Sequence, residues 1–347
     1  MSDTDHSIAR RDLITAAGSL GAGLAAGLLP RPAFAEKSDQ QRAPQPAIWS
    51  AEYWAKKGDV PLYMFRKRLG APQAGEAPRP VLFLVHGSSN SSRTSFDLAV
   101  PGHGEYSLMN KFAEFGFDVW TMDHEGYGRS GHTDGNSDIA SGVEDLKAAS
   151  EVLVRETGQQ KFHFCGTSSG AIRAGAFAVA QPDRVDRLIL IAFTYKGSGA
   201  PTLKKRAERL EYYRTHNRRL RDRAMIRSIF SRDNLSSSYD PAVAEALADE
   251  ELKFGDQVPT GTYLDMTANL PLVDPLKVTC PVMLLRGDHD GIATVEDLID
   301  FYRQLPTGDR QFVILPQTAH NMTFGRNRHL MWHAMREFLT MPAPEAA

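Results

Sequence analysis

From residue 80 to residue 339 strand-forming and helix-forming segments take turns along the chain, and this alternation restricts the fold more than any other feature. It opens with Val81-Leu82-Phe83-Leu84-Val85, a compact apolar run of the kind buried on both faces of a sheet. Helix over residues 106–115, strand 118–122, helix 139–156, strand 161–165, helix 171–180 and strand 185–193 follow. After an interruption come strand 282–286, helix 295–305, strand 310–315 and helix 328–339. The pattern predicts an α/β fold: a mostly parallel central sheet with helices on both faces. Upstream, structure is expected to begin near Ile48, and residues 60–68 read as a strand near a sheet edge because they include Pro61.

The interruption lies between Tyr195 and Pro281 and reads as an inserted helical cap over residues 196–278, splitting the core into 48–195 and 279–342. Leu203, Ala207, Leu210, Tyr213, Leu220 and Ala224 recur at three-, four- and seven-residue steps, which predicts one amphipathic helix facing the main body. Residues 196–232 hold twelve Lys or Arg against three Asp or Glu, whereas residues 233–258 hold seven acids against one base. The balance favours complementary, solvated cap helices over a site for an anionic substrate. Tyr212, Tyr213, Phe230, Tyr263, Met266, Leu270 and Leu272 are candidates to line a substrate pocket, or equally to form the cap's own core.

At the N-terminus, Arg10-Arg11, a weakly apolar stretch of Leu, Ala and Gly over residues 14–29, and Ala33-Phe34-Ala35 have the order of a twin-arginine signal peptide, residues 1–35. Residues 36–47 read as a linker. A periplasmic or secreted location is expected, with the export machinery as a transient partner and no membrane span after cleavage. The remaining 310 or so residues suffice for one large domain with a lid. A net charge of −2 gives no sign of nucleic-acid binding. Cys165 and Cys280 fall at opposite ends of parallel strands, so they are read as unpaired.

The most informative local motif is Gly166-Thr167-Ser168-Ser169-Gly170, between a strand ending in Phe164-Cys165 and a helical pattern. A sharp strand-to-helix turn of this kind thrusts out a serine, and the glycines relieve the crowding around it. Ser168 is therefore the candidate nucleophile, and Ser169 supplies a backbone N–H beside it.

With His86-Gly87-Ser88 after the buried strand, Asp123-His124-Glu125-Gly126-Tyr127-Gly128-Arg129-Ser130, Gly287-Asp288-His289-Asp290 after a late strand, and Ala319-His320 after the last strand, the chain resembles the α/β-hydrolase superfamily over nearly all of residues 80–339. The resemblance implies an α/β-hydrolase fold and a triad of Ser168, His320 and an acid. The superfamily's G-x-x-D spacing selects Asp290 over Asp288, with Asp123 a more distant rival. It implies oxyanion donors at the N–H groups of Ser88 and Ser169, although Ser88, Ser89 and Asn90 depart from the residues usual at that loop.

His86 is expected to tie its loop, Asp123 to brace its turn, and His289, His329 and His333 to be surface or packing residues. The expected activity is hydrolysis of a carboxylic ester on a small acyl substrate, without metal or other cofactor. C–C bond hydrolysis, amide hydrolysis and acyl transfer use the same groups, and a non-catalytic binding protein is the remaining class.

Overall fold

The computed structural model describes residues 47–342. The signal peptide expected over residues 1–35 and the linker through residue 46 lie outside the described residues.

Eight strands make one sheet. β1 (Ile48–Lys57) and β2 (Val60–Leu69) form an antiparallel hairpin turning at Gly58, whose φ of 57° suits a residue without a Cβ. Every second residue from Ser50 to Lys56 is exposed, as an edge strand allows. There follow β3 (Val81–Val85), the short α1 (Ser92–Phe96), α2 (Leu108–Glu114), β4 (Asp118–Met122), α3 (Ile139–Thr157), β5 (Phe162–Thr167), α4 (Ser169–Ala180) and β6 (Val185–Ile191). The strand order is β1-β2-β4-β3-β5-β6 and then two strands from beyond the cap; pairing is parallel from β4 onward. β2, read as a strand near the edge, is thus covered on its outer side by β1.

The pleat sorts side chains to two cores. Val81, Phe83 and Val85 face one with Leu146 of α3 and Phe177 of α4; Leu82 and Leu84 face the other with Phe112 of α2. Local sequence sets the helix ends as well. Asp138 caps α3 by accepting from the N–H of Ser141, and Gly158 ends it at φ 70°.

The cap between β6 and the rest of the sheet contains α5 (Pro201–Ala207), α6 (Leu210–Thr215), β7 (Arg218–Leu220), α7 (Arg223–Ser231), α8 (Pro241–Glu251), β8 (Gln257–Pro259) and α9 (Gly261–Leu264). The single amphipathic helix expected from Leu203 to Ala224 is therefore two helices, a strand and the start of a third helix. β7 pairs with β8 in a small antiparallel ribbon, Asp222 caps a new helix at the N–H of Met225, and Leu220 is 54 % exposed. The complementary helices do form in part: Arg223 meets Glu245 at 2.9 Å and Asp249 at 2.5 Å, and Arg227 meets Glu245 at 2.5 Å. The chain returns through β9 (Val282–Gly287), α10 (Val295–Gln304), β10 (Arg310–Leu315) and α11 (Arg328–Leu339), with β9 beside β6 and β10 at the far edge. Cys165, buried, and Cys280 are both free thiols.

A buried ion pair within the cap is hydrogen-bonded to the segment after β3. Glu251, at the end of α8, accepts from Arg221 Nη1 at 2.5 Å, Ser91 Oγ at 2.7 Å, Thr94 Oγ1 at 2.6 Å and the N–H of Ser91. Both partners of the ion pair are almost wholly buried. Glu251→Ala would strand the Arg221 guanidinium away from water, so a loss of about 3–5 kcal/mol in urea unfolding is expected. A loss under about 1 kcal/mol, the value of an exposed pair, would contradict this account.

Candidate active site

Ser168 sits between the last residue of β5 and the first of α4 with φ 56° and ψ −125°. Left-handed backbone at a non-glycine residue is costly and persists only where its surroundings enforce it. Here Ser168 N–H donates to Ile191 O of β6 at 2.8 Å, fixing the turn to the sheet. A Cβ at Gly166 would collide with the backbone of Gly170 and Ala171, and one at Gly170 with the carbonyls of Val85 and His86. That contact explains the motif's two glycines, because α4 can start this close to the sheet only if neither has a side chain.

The loop after β10 brings His320 over the sheet edge. Its Nε2 lies 2.9 Å from Ser168 Oγ, and its Nδ1 lies 2.8 Å from Asp290 Oδ1. Asp290 Oδ1 also accepts from the N–H groups of Ile292 at 2.8 Å and Ala293 at 3.0 Å. Burial pushes the Asp290 carboxyl up, but His320 and these two donors outweigh it and hold it below the ordinary carboxylate range.

Asp288 points elsewhere. It accepts from the N–H groups of Gln317 and Thr318, each at 2.9 Å, and so braces the loop that presents His320. Asp123 accepts from Ser92 N–H at 2.7 Å, Ser92 Oγ at 2.6 Å and Arg129 N–H at 2.9 Å; burial raises it to about 6 despite these donors.

His86 links two loops: its Nε2 accepts from His124 N–H at 3.0 Å, and Nδ1 lies 2.8 Å from Gly87 O. This arrangement needs a neutral ring protonated on Nδ1. Burial accordingly holds its pKa well below the ordinary histidine value, with the neighbouring His124 and Arg173 adding to the effect. His329 and His333 lie on α11.

At the loop after β3, Ser88 and Ser169 are buried and their hydroxyls stand 2.7 Å apart. Ser169 is the first residue of α4, so its N–H is one of the donors a helix start leaves free. A Cβ on Gly87 would lie 3.1 Å from Thr167 O and 3.3 Å from Ser168 Cβ, which places this loop directly against the serine turn. Tyr127 Oη donates to Ser88 O at 3.0 Å and holds the loop there. Among the described residues no group of three or more His, Cys, Asp or Glu side chains is placed to hold a metal ion.

Ser168 and His320 open into a cavity of about 50 Å³ lined also by Ser88, Ser89, Arg206 and Arg232. Beside it, sharing Ser89, Arg206, Ile229 and Arg232, is a chamber of about 430 Å³. Of the residues expected to line a pocket, Tyr213 and Tyr263 border this chamber. The other five are placed differently. Tyr212 donates to Arg218 O at 3.0 Å and stacks on His216, Phe230 packs on Tyr239 and Phe324 in a cluster shared by the cap and the main body, and Met266 packs in the main core. Leu270 and Leu272 also pack against that main core.

Sequence reasoning did not single out Arg206, Arg219, Arg232 or Asp233. Asp233 Oδ2 accepts from His320 N–H at 2.9 Å, across 87 residues, and no local motif signals such a contact.

No curated protein sequence matches the chain. Solved structures are similar in fold. A 2-hydroxy-6-oxo-6-phenylhexa-2,4-dienoate hydrolase from a Rhodococcus strain aligns with a TM-score of 0.59 at 18% identity, covering 84% of this chain and 99% of that one. An enol-lactonase from Burkholderia xenovorans gives 0.60 at 17%, covering 83% and 100%. A thermophilic esterase from Thermogutta terrifontis gives 0.57 at 20%, covering 84% and 98%. The family model described as serine aminopeptidase S33 matches residues 76–327, most of the described fold, and the chain belongs to that family of α/β-hydrolases.

Proposed function

We propose that the chain hydrolyses a carboxylic ester through an acyl-enzyme on Ser168. The reading rests on one observation: the Ser168 hydroxyl, the His320 imidazole and the Asp290 carboxylate stand in a line of contacts of 2.9 and 2.8 Å. In the first step Ser168 Oγ attacks the ester carbonyl while His320 Nε2 takes its proton. Asp290 holds the proton on Nδ1, which leaves Nε2 free to accept, and stabilises the imidazolium that forms. The N–H groups of Ser88 and Ser169 receive the oxyanion. Collapse expels the alcohol with the proton from His320; a water, deprotonated by the same imidazole, then releases the acid and restores Ser168.

C–C bond hydrolysis, amide hydrolysis and acyl transfer use the same groups. The chamber wall disfavours one form of amide substrate, a peptide with a free α-ammonium. It includes Lys205, Arg206, Arg209, Arg219 and Arg232 against the single carboxylate of Glu208. The protein from Glu36 onward, given short-acyl p-nitrophenyl esters alongside matched amides and 1,3-diketones, is expected to turn over the esters fastest and to be labelled by a fluorophosphonate at Ser168. Neither turnover nor labelling would leave the non-catalytic reading.

Export is part of the same proposal, on the strength of Arg10-Arg11 and Ala33-Phe34-Ala35. Lysines at both arginines should keep the chain in the cytoplasm with its N-terminus uncut. Unchanged export in a cell fractionation would discard it.

A further inference from the structure

Three arginines of the cap converge beside the serine, in a chamber whose lining holds a single carboxylate, Glu208. Arg206 on α5, Arg219 on β7 and Arg232 just after α7 all line the 430 Å³ chamber, and Arg206 and Arg232 also reach the cavity of Ser168 and His320. Four other cap arginines meet carboxylates, Arg214 with Glu211, Arg221 with Glu251, Arg223 with Glu245 and Asp249, and Arg227 with Glu245, while Arg218 donates to the carbonyls of Gly126 and Thr133. Among the described residues, Arg232 has one marginal ion pair, 4.0 Å from Asp233. The Asp233 oxygens already accept from Gly291 N–H at 3.3 Å and His320 N–H at 2.9 Å.

Arg206 makes its polar contact with a thioether, Met266 Sδ at 3.9 Å. The Nε atoms of Arg219 and Arg232 are buried without an acceptor. Arg219 and Arg206 instead flank the ring of Tyr263 at 4.6 and 5.0 Å, and Tyr263 Oη is 2.8 Å from Ser89 Oγ.

Guanidinium groups held together in a partly dry chamber repel one another and have lost water, so an anion placed among them relieves both costs. The cluster already acts on Tyr263. Burial pushes that phenol up, and Arg219, Arg206, the hydrogen bond with Ser89 and Arg232 together bring it below its ordinary value. Burial lowers Arg206 to about 10, with Arg232 adding to the fall, and at that value the group still carries its proton at neutral pH.

We propose that the chamber binds the free carboxylate of a dicarboxylic monoester, between Arg206, Arg219 and Arg232, while the substrate's ester carbonyl reaches Ser168. The inference rests on the ester-hydrolase reading above and supplies its substrate class. Planar guanidinium forks match the two oxygens of a carboxylate, and a chamber of this volume has room for a carbon chain leading to the serine. The balance of charge between the two halves of the cap, which favours a self-compensating surface, describes α7 and α8 and leaves this side of the cap out.

The test compares p-nitrophenyl hemiglutarate with the neutral p-nitrophenyl methyl glutarate at low ionic strength. Wild type should favour the anionic ester by about 10–100-fold in kcat/KM, the worth of charge-assisted hydrogen bonds. Arg206→Met and Arg219→Met should each collapse that ratio, chiefly through KM, and Arg206→Lys should restore part of it.

Calorimetry on Ser168→Ala, with glutarate and separately with inorganic phosphate, reads the site without turnover. Glutarate binding that is lost with Arg206→Met, in a chain that cleaves no ester, upholds the anion site and removes the esterase reading. Equal turnover of the two esters with no glutarate binding overturns the proposal, as does binding of phosphate in place of glutarate.

Discussion

With Ser168 replaced by alanine, kcat for any ester that the wild-type chain hydrolyses is expected to fall by about 10⁶, with KM nearly unchanged. The variant keeps the backbone that makes the serine turn, since Gly166, Gly170 and the 2.8 Å bond from the residue 168 N–H to Ile191 O are untouched. It removes the one hydroxyl in contact with His320 Nε2. Ser169 cannot take over, because it is buried and its Oγ faces Ser88 Oγ at 2.7 Å. Any activity left would come from substrate binding and from the N–H groups of Ser88 and Ser169, which the substitution spares. Steady-state rates on a short-acyl p-nitrophenyl ester decide the matter. A fall of less than about tenfold would take the nucleophile's role from Ser168.

What could be read from the chain in advance follows the range of the interactions involved. β3 was legible because five consecutive apolar residues have no other stable place than a strand covered on both faces. The start of α3 was legible because Asp138 caps it locally, and the span of α11 matches its expected residues 328–339 because its apolar spacing continues without a break. The serine turn belongs with these, since the glycines that permit it are two residues away on either side.

Misreadings cluster where a distant partner decides. Structure is expected to begin near Ile48, but no strand is expected over residues 48–57, where β1 forms by pairing with β2 along its whole length. The six apolar positions from Leu203 to Ala224 satisfy a helical spacing, yet β8, far along the chain, captures Arg218–Leu220 as a strand. Charge counting located the pairing only in part, for the same reason. Totals over residues 196–258 show that opposite charges are available, but not that Arg223 and Arg227 meet them while Arg206, Arg219 and Arg232, on three separate elements, face a chamber.

The two aspartates after β9 provide the sharpest test of the site's internal logic, because asparagine in either place preserves size and hydrogen-bonding shape while removing the charge. Asp290→Asn is expected to lower kcat by about 10⁴. The amide can turn its NH₂ toward His320, which then keeps its proton on Nε2 and has no lone pair for the serine hydroxyl; it also offers no charge to the imidazolium that forms during attack. Nothing in solution replaces that charge, since Asp290 is buried and its carboxyl lies below the ordinary range in the folded chain.

Asp288→Asn should cost less than about tenfold, because an amide oxygen can still accept from the N–H groups of Gln317 or Thr318 and keep the His320 loop in place. The comparison distinguishes a charge that stabilises the reaction from a group that shapes a loop, although both stand at the end of one strand two residues apart. A severe loss in Asp288→Asn beside a mild one in Asp290→Asn would reverse the roles and detach the 2.8 Å contact with His320 from catalysis.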